Sequence, residues 1–217
     1  MKNFVVIPAY NEGKHLQKVL QKTKQYIENI VVVDDGSADN TYEIAKASGI
    51  YALKHTINLG KGSALKLGCD YAVSQGAENI VVMDADTQHD PSMINKFLQE
   101  LKDHDVVFGY RELAKSMPFI LRFGNKFINN TVKLLYGLQL KDTQCGYRAF
   151  TARAYRAIRW KATDYSMESE MIAKVGEKKL SYSEIPIKTI YADKYKGTTV
   201  IDGIKIVLKM FSWRLFQ

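Results

Sequence analysis

Short strand-like runs, most of them rich in Val and Ile, recur along the first half of this chain at Phe4 to Pro8, Ile30 to Asp35, Tyr51 to His55, Ile80 to Asp84 and Val106 to Tyr110. Between them lie stretches whose apolar residues return at helical spacing: Glu12 to Ile27, Thr41 to Ser48, Ser63 to Ser74 and Pro91 to Leu101. This alternation predicts βαβ units around a mostly parallel, twisted sheet with helices on both faces, an α/β nucleotide-binding layout. Asp90 before Pro91 reads as an N-cap followed by proline at the first helical position. After Tyr110 the regularity breaks. An amphipathic segment from Met117 to Tyr136 is followed by the polar stretch DTQCGYRAF, a helix near Ser166 to Val175 and a strand from Ser181 to Tyr191.

Neither a repeat nor a Pro/Gly/Ser linker divides the 217 residues, so one domain is expected over 1–217. Within it, residues 1–110 read as a nucleotide-binding half, 111–199 as the half that carries the acceptor side and 200–217 as an amphipathic C-terminal helix. Apolar runs such as FVVIP and NIVVV fall far short of the roughly 20 residues a membrane span needs. The N-terminus passes straight into a strand-like run without the pattern of a secretory leader, which places the protein in the cytoplasm. Cys69 and Cys145 are isolated from each other, which disfavours a redox pair or a zinc cluster. A net charge of +8 suits an anionic partner, whether phosphorylated substrate, lipid surface or nucleic acid; no nucleic-acid recognition motif accompanies it.

In open α/β sheets ligands bind beyond the carboxyl ends of the strands. Three of the predicted strand ends carry polar groups: PAYNE, DDGSADNT and DADTQHDP. In an extended segment alternate side chains share a face, so Asp84 and Asp86 could reach one cation, with Gln88 in the same register. Oxygen-only ligands select Mg²⁺ or Mn²⁺, and an ion with few protein ligands keeps positions open for substrate phosphates. The competing interpretation is an Asp-rich turn that only caps the next helix. Asp34 or Asp35 could accept hydrogen bonds from a ribose or base, Tyr10 could stack on a base and Glu12 could bond to it, while Asp39 or Asn40 could cap the following helix. NLGKGSALKLG matches neither a dinucleotide-binding nor a P-loop fingerprint, which leaves Lys61 as a contact to a donor phosphate.

Taken in order, PAYNE, VVVDDGSADNT, LGKGSAL, DADTQHDP and DTQCGYRAF resemble family-two glycosyltransferases of the GT-A fold, and among these the polyprenyl-phosphate sugar transferases. The resemblance covers nearly the whole chain. It implies that Pro8, Tyr10, Glu12 and Asp35 hold the nucleoside, and that Asp84, Asp86 and Gln88 hold metal and diphosphate. It also implies basic residues around an acceptor phosphate, which fall on Arg111 and Arg122; Lys194 or Lys196 stands where an arginine is expected. Arginine suits that work because its planar fork donates two parallel hydrogen bonds to phosphate oxygens. Asp142 and Glu170 also fall on family motifs, Asp142 as a candidate to orient Arg148 or the metal site, or to touch substrate.

The implied reaction is inversion by single displacement, with the acceptor oxygen attacking as the nucleoside diphosphate leaves. A phosphate acceptor is largely a dianion at pH 7 and needs no general base; a sugar hydroxyl would, and Asp142 is the candidate. On a helical projection of Met117 to Tyr136, Arg122, Lys126, Asn129 and Lys133 form a polar stripe opposite Phe119, Ile120, Leu121, Phe127, Ile128, Leu134 and Leu135. VIDGIKIVLKMFSWRLF repeats the pattern with Lys205, Lys209 and Ser212. Basic amphipathic helices of this kind lie in the headgroup region, so peripheral attachment to the cytoplasmic membrane, or to a membrane-protein partner, is expected. The alternatives are a soluble transferase acting on a glycan or protein hydroxyl, and a non-catalytic nucleotide-sugar-binding module.

Overall fold

A computed structural model describes residues 1–111, 119–187 and 207–212, with the backbone alone over 119–126. Strands β1 (Asn3–Ala9), β2 (Ile30–Asp34), β3 (Tyr51–Lys54), β4 (Asn79–Val82), β5 (Val106–Arg111), β6 (Arg148–Thr151) and β7 (Tyr182–Ile187) form one sheet in the order β3-β2-β1-β4-β6-β5-β7. β1 pairs in parallel with β2 and β4, β2 with β3, and β5 with β7. Only β6 runs against its neighbours, antiparallel to β4 and β5. The mostly parallel α/β sheet expected from the sequence is therefore present.

Period-two alternation divides the core. Phe4, Val6, Val31, Val33, Ile80 and Val82 point to one face, where α3 (Lys61–Ser74), α5 (Phe119–Tyr136), α6 (Ala152–Ile158) and α7 (Met167–Glu177) bury their apolar stripes. Val5, Ile7, Ile30, Val32, Val81 and Met83 point to the other, against α1 (Gly13–Thr23), α2 (Thr41–Ala47) and α4 (Ile94–Glu100). Strands buried on both faces read as continuous apolar runs, which is why NIVVV stood out. Capping follows from short polar side chains. Asp90 accepts from Ser92 N–H at 3.0 Å at the head of the 3₁₀ turn Pro91–Met93, and Asp39 serves two helices, accepting from Gly13 N–H at 3.0 Å and from Thr41 N–H at 3.0 Å.

The structure departs from the sequence reading in three places. DTQCGYRAF is not merely a polar stretch: its last residues form β6, and Thr151 then caps α6 by accepting from Ala154 N–H at 3.1 Å. Second, β4 ends at Val82 rather than Asp84, because the N–H of Asp84 that would extend the strand donates instead to His89 Nδ1 at 3.0 Å. Third, Asn129 does not face outward with a polar stripe. It donates to Lys141 O at 2.8 Å and accepts from Thr143 Oγ1 at 2.9 Å, while Ile128, Val132 and Tyr136 of α5 are buried and Phe127 and Leu134 are exposed.

Residues 207–212 are helical and dock on α5, with Tyr136 Oη donating to Met210 O at 2.7 Å. Leu208 and Phe211 point outward, but Lys209 turns inward to Asp164 at 3.1 Å and Ser166 at 2.9 Å. The predicted positions 188–191 of the last strand, the first residues of the Met117 helix, the side chains of Arg122 and Lys126, and Lys194, Lys196 and Lys205 lie outside the described residues. Among the described residues no helix is long and apolar enough to cross a membrane.

The glycines of LGKGSAL serve packing. The loop 160–166 closes over the start of α3: Ser63 N–H donates to Thr163 O at 3.2 Å and Trp160 Nε1–H to Gly62 O at 2.8 Å. A Cβ on Gly62 would lie 2.4 Å from Ala162 O and 2.8 Å from Thr163 C, both backbone atoms that cannot step aside. Gly62→Ala is therefore expected to destabilise the fold by about 1–3 kcal/mol in urea unfolding, more than a helix-favouring Gly→Ala exchange would return.

Candidate active site

Three segments distant in sequence meet at Lys61. Its largely buried ammonium lies 2.8 Å from Asp84 Oδ1, just beyond β4, and 3.1 Å from Glu168 Oε1 in the first turn of α7. Burial alone would lower the Lys61 pKa; the two carboxylates outweigh it and hold the group above its ordinary value. Burial likewise opposes ionisation of Asp84, but the charge of Lys61, then that of His89, the Lys61 hydrogen bond and the charge of Arg111 bring its carboxyl down to about 2. Gly146 closes the cluster. A Cβ there would sit 3.0 Å from Asp84 Oδ2, 3.0 Å from Lys61 Nζ and 3.3 Å from Glu168 Oε1, so a side chain at this point would press on all three charged groups.

Beside this cluster, Arg111 at the end of β5 makes a two-pronged contact with Asp142, Nε to Oδ2 at 2.7 Å and Nη2 to Oδ1 at 3.1 Å. Burial works against the Arg111 charge and the Asp142 carboxylate more than restores it. Asp142 is buried and its carboxylate bonds to Arg111, not Arg148. Arg148 is buried elsewhere in the same turn: its guanidinium donates to Cys145 O at 2.8 Å, Glu168 O at 2.7 Å and Thr143 O at 2.9 Å, with Phe108 beneath it at 5.4 Å. It ties the DTQCGYRAF turn to the start of α7.

Glu170, picked out in the sequence, is a structural residue. It accepts from Lys161 N–H and Ala162 N–H, each at 2.8 Å, and pairs with Lys174 at 2.8 Å. Glu168, two residues earlier, carries the contact to Lys61. Only the approach of α7 to α3 distinguishes the two, and the SMESEM pattern does not encode it.

The turn after β4 carries the expected metal ligands. It is bent, not extended: Thr87 adopts φ +67°, and Asp86 Oδ1 accepts from Gln88 N–H at 3.1 Å. Asp84, Asp86 and Gln88 are thus not lined up on one face of a strand; Asp84 is committed to Lys61, and Asp86 and Gln88 are partly exposed. No group of three or more His, Cys, Asp or Glu side chains is gathered as a cation cage among the described residues. The donor set is nonetheless that of a hard divalent ion which draws most of its shell from a phosphorylated ligand. His89 was not foreseen. Its ring is 7% exposed and stacks on Tyr147 at 4.8 Å; burial lowers its pKa, and the N–H accepted at Nδ1 leaves the neutral ring's proton on Nε2.

On the nucleoside side, Pro8 lies in β1 and Tyr10, 48% exposed, just beyond it. Glu12 occupies the N-cap position of α1, its N–H donating to Thr41 Oγ1 at 2.9 Å. Asp35 is buried. Its carboxylate meets His55 Nδ1 at 2.7 Å and accepts from Leu59 N–H at 3.0 Å and Gly60 N–H at 2.8 Å, so it fixes the loop that delivers Lys61.

Residues 4–159 match the profile of Glycosyl transferase family 2. The chain belongs to that family. This family 2 glycosyltransferase is 33% identical to the UDP-N-acetylglucosamine–dolichyl-phosphate N-acetylglucosaminyltransferase of Methanococcus voltae, across 98% of this chain and 96% of that one. It is 27% identical to the undecaprenyl-phosphate mannosyltransferase of Micrococcus luteus, across 94% of this chain and 88% of that one. Its fold superposes on glucosyl-3-phosphoglycerate synthase from Mycobacterium tuberculosis, solved with Mn²⁺, UDP-glucose and phosphoglyceric acid, with a TM-score of 0.75, covering 97% of this chain and 80% of that one. At 17% identity that likeness establishes the shared GT-A architecture alone.

The Lys61–Asp84 pair sets an acid limit on stability. The folded-state pKa of Asp84, about 2, lies below its ordinary 3.8, so its contribution is complete above pH 4 and is lost as pH falls through 2. Between pH 4 and 2 the unfolding free energy of the wild type is expected to fall by about 2 kcal/mol more than that of Asp84→Asn, measured by chemical denaturation at each pH.

Proposed function

We propose that this glycosyltransferase moves a sugar from a nucleoside diphosphate donor to a polyprenyl phosphate, as an inverting, divalent-metal-dependent hexosyltransferase acting at the cytoplasmic membrane face. Residues 1–217 are read as one transferase domain, with 1–110 serving the donor, 111–199 the acceptor and 200–217 the membrane. The observation that carries the acceptor assignment is the state of Asp142. A hydroxyl acceptor would need a carboxylate base, but both Asp142 oxygens are spent on Arg111. What remains is a guanidinium held ready for an acceptor that is already an anion. A phosphate monoester, with a second pKa near about 6, is such an acceptor.

The donor assignment rests on charge. Lys61, Arg111 and Arg148 stand among Asp84, Asp86, Asp142 and Glu168, so the cluster is one positive charge short before any ligand arrives. A diphosphate enters such a site only with a cation of its own. Asp86 and Gln88, with Asp84 behind them, are the residues that would hold Mg²⁺ or Mn²⁺, which when bound supplies charge neutralisation to the departing diphosphate. Lys61, held by Asp84, is assigned to a donor phosphate. Tyr10 offers an exposed ring for the base, and Pro8, Glu12 and Asp35 line the same strand ends. Arg111, Arg122 and Lys194 or Lys196 are assigned to the acceptor phosphate, a task of positioning rather than proton transfer.

Relatives across nearly the full length carry names with dolichyl- and undecaprenyl-phosphate acceptors, which supports the lipid assignment. Exposed Phe127 and Leu134 on α5, with Leu208 and Phe211 on the helix docked against it, support peripheral contact with a membrane.

Labelled UDP- and GDP-sugars supplied with Mn²⁺ and polyprenyl phosphate are expected to give product that partitions into organic solvent. Label appearing only in water-soluble glycan would reject the lipid acceptor. Asp86→Ala is expected to lose at least about a hundredfold in kcat/KM with unchanged thermal stability, and normal turnover of the wild type in chelator would remove metal dependence. Arg111→Lys keeps the charge but loses the fork, so acceptor KM should rise about tenfold while donor KM holds; a change confined to the donor would contradict the assignment.

A further inference from the structure

We infer that His89, Tyr147 and Phe97 form an aromatic clamp that sets the shape of the 84–90 turn, which makes His89 a positioning residue for Asp84 and Asp86. The inference rests on the reading of that turn as the donor's diphosphate and metal site.

The turn contains little of its own to hold it. Thr87 sits at φ +67°, a conformation a β-branched residue keeps only when its surroundings impose it. Internally, Asp86 Oδ1 accepts from Gln88 N–H and Asp90 Oδ1 from Ser92 N–H. What fixes both ends of the turn comes from the clamp. In the plane of its ring, His89 Nδ1 takes the Asp84 N–H at 3.0 Å, the group left over where β4 stops. On its face, His89 stacks on Tyr147 with centroids 4.8 Å apart and planes at 22°, and Tyr147 stacks on Phe97 of α4 at 4.5 Å and 29°. Tyr147 Oη donates to Asp90 O at 3.1 Å and closes the far end.

Tyr147 is itself held to β5. Gly109 N–H donates to Tyr147 O at 2.9 Å, and a Cβ on Gly109 would lie 2.8 Å from that oxygen, so the approach requires glycine. Two residues later comes Arg111. The clamp thus fixes the donor turn relative to the arginine assigned to the acceptor. A ring without an in-plane acceptor would leave the Asp84 N–H without its partner and release Asp84 and Asp86 from their register.

Calorimetric titration of the full chain with Mn²⁺ and UDP or GDP, whichever the wild type binds, tests this without turnover. His89→Phe keeps a ring against Tyr147 and removes the acceptor; His89→Asn restores an amide oxygen close to the Nδ1 position. His89→Phe is expected to weaken Mn²⁺-nucleotide affinity about tenfold and raise donor KM in parallel, with acceptor KM unchanged and the melting temperature lowered by only about 2–4 °C, and His89→Asn to recover most of the loss. Tyr147→Phe, which loses only the bond to Asp90 O, should weaken affinity a few-fold. Wild-type affinity in His89→Phe would overturn the clamp. So would a joint loss of donor affinity, acceptor affinity and melting temperature in both His89 variants, which is the signature of a general structural role. If the wild type binds neither nucleotide with Mn²⁺, the donor-site reading fails and the clamp falls with it.

Discussion

One largely buried ammonium group organises this molecule. The Lys61 side chain is 14% exposed, and a charge so nearly withdrawn from water is tolerated only when it is paired. Its partners, Asp84 and Glu168, come from the end of β4 and the start of α7, and Lys61 itself opens α3. The charge is therefore satisfied only when both halves of the chain have closed on each other. Gly146 permits the closure by bringing backbone against all three charged groups, and Arg148 secures it through three backbone carbonyls. Removing any one partner would leave an uncompensated buried charge, which is costlier than the lost contact itself.

The topology is compatible with the proposed sharing of this cluster between donor and acceptor. β6 enters the sheet antiparallel between β4 and β5, and the turn leading into it, from Asp142 to Tyr147, crosses the carboxyl edge where parallel strands deliver their ligands. One side of that turn faces the donor residues through Gly146 and Tyr147. The other side presents Asp142 to Arg111. The reaction assigned to the site is a displacement between two phosphorylated substrates, and it needs the two anions held close without mutual repulsion. A turn that fixes a lysine on one flank and an arginine on the other supplies that, and the shortfall of positive charge is what a divalent ion would make good.

The first five strands and the helices between them were legible because β1, β2, β4 and β5 are short, largely continuous apolar runs and each helix keeps its own period. β6 was not, since RAFT is four residues long and follows a polar turn; its burial comes from neighbours β4 and β5 that no local pattern announces. α6 did leave a trace, in Thr151 as its cap and Tyr155 and Ile158 on one face. Among the candidate residues, Asp84, Asp86, Lys61, Arg111 and Asp142 could be named from strand-end position and motif order. Glu168 was passed over for Glu170 because two glutamates two apart on a helix differ only in what packs against them. His89 was missed because its role, closing a turn on its own strand's last N–H, is visible only once the turn is seen to bend at Thr87. Asn129 looked like part of a solvated stripe and instead anchors α5 to the turn that carries Asp142.

The most direct test is a crystal structure of the full chain with Mn²⁺ and a non-hydrolysable nucleoside diphosphate sugar. The diphosphate is expected beside Lys61, the ion on Asp86, and the sugar's anomeric carbon turned toward Arg111. A nucleotide bound elsewhere, with Lys61 still closed on Asp84 and Glu168 and no ion at Asp86, would contradict the assignment of this cluster as the donor site.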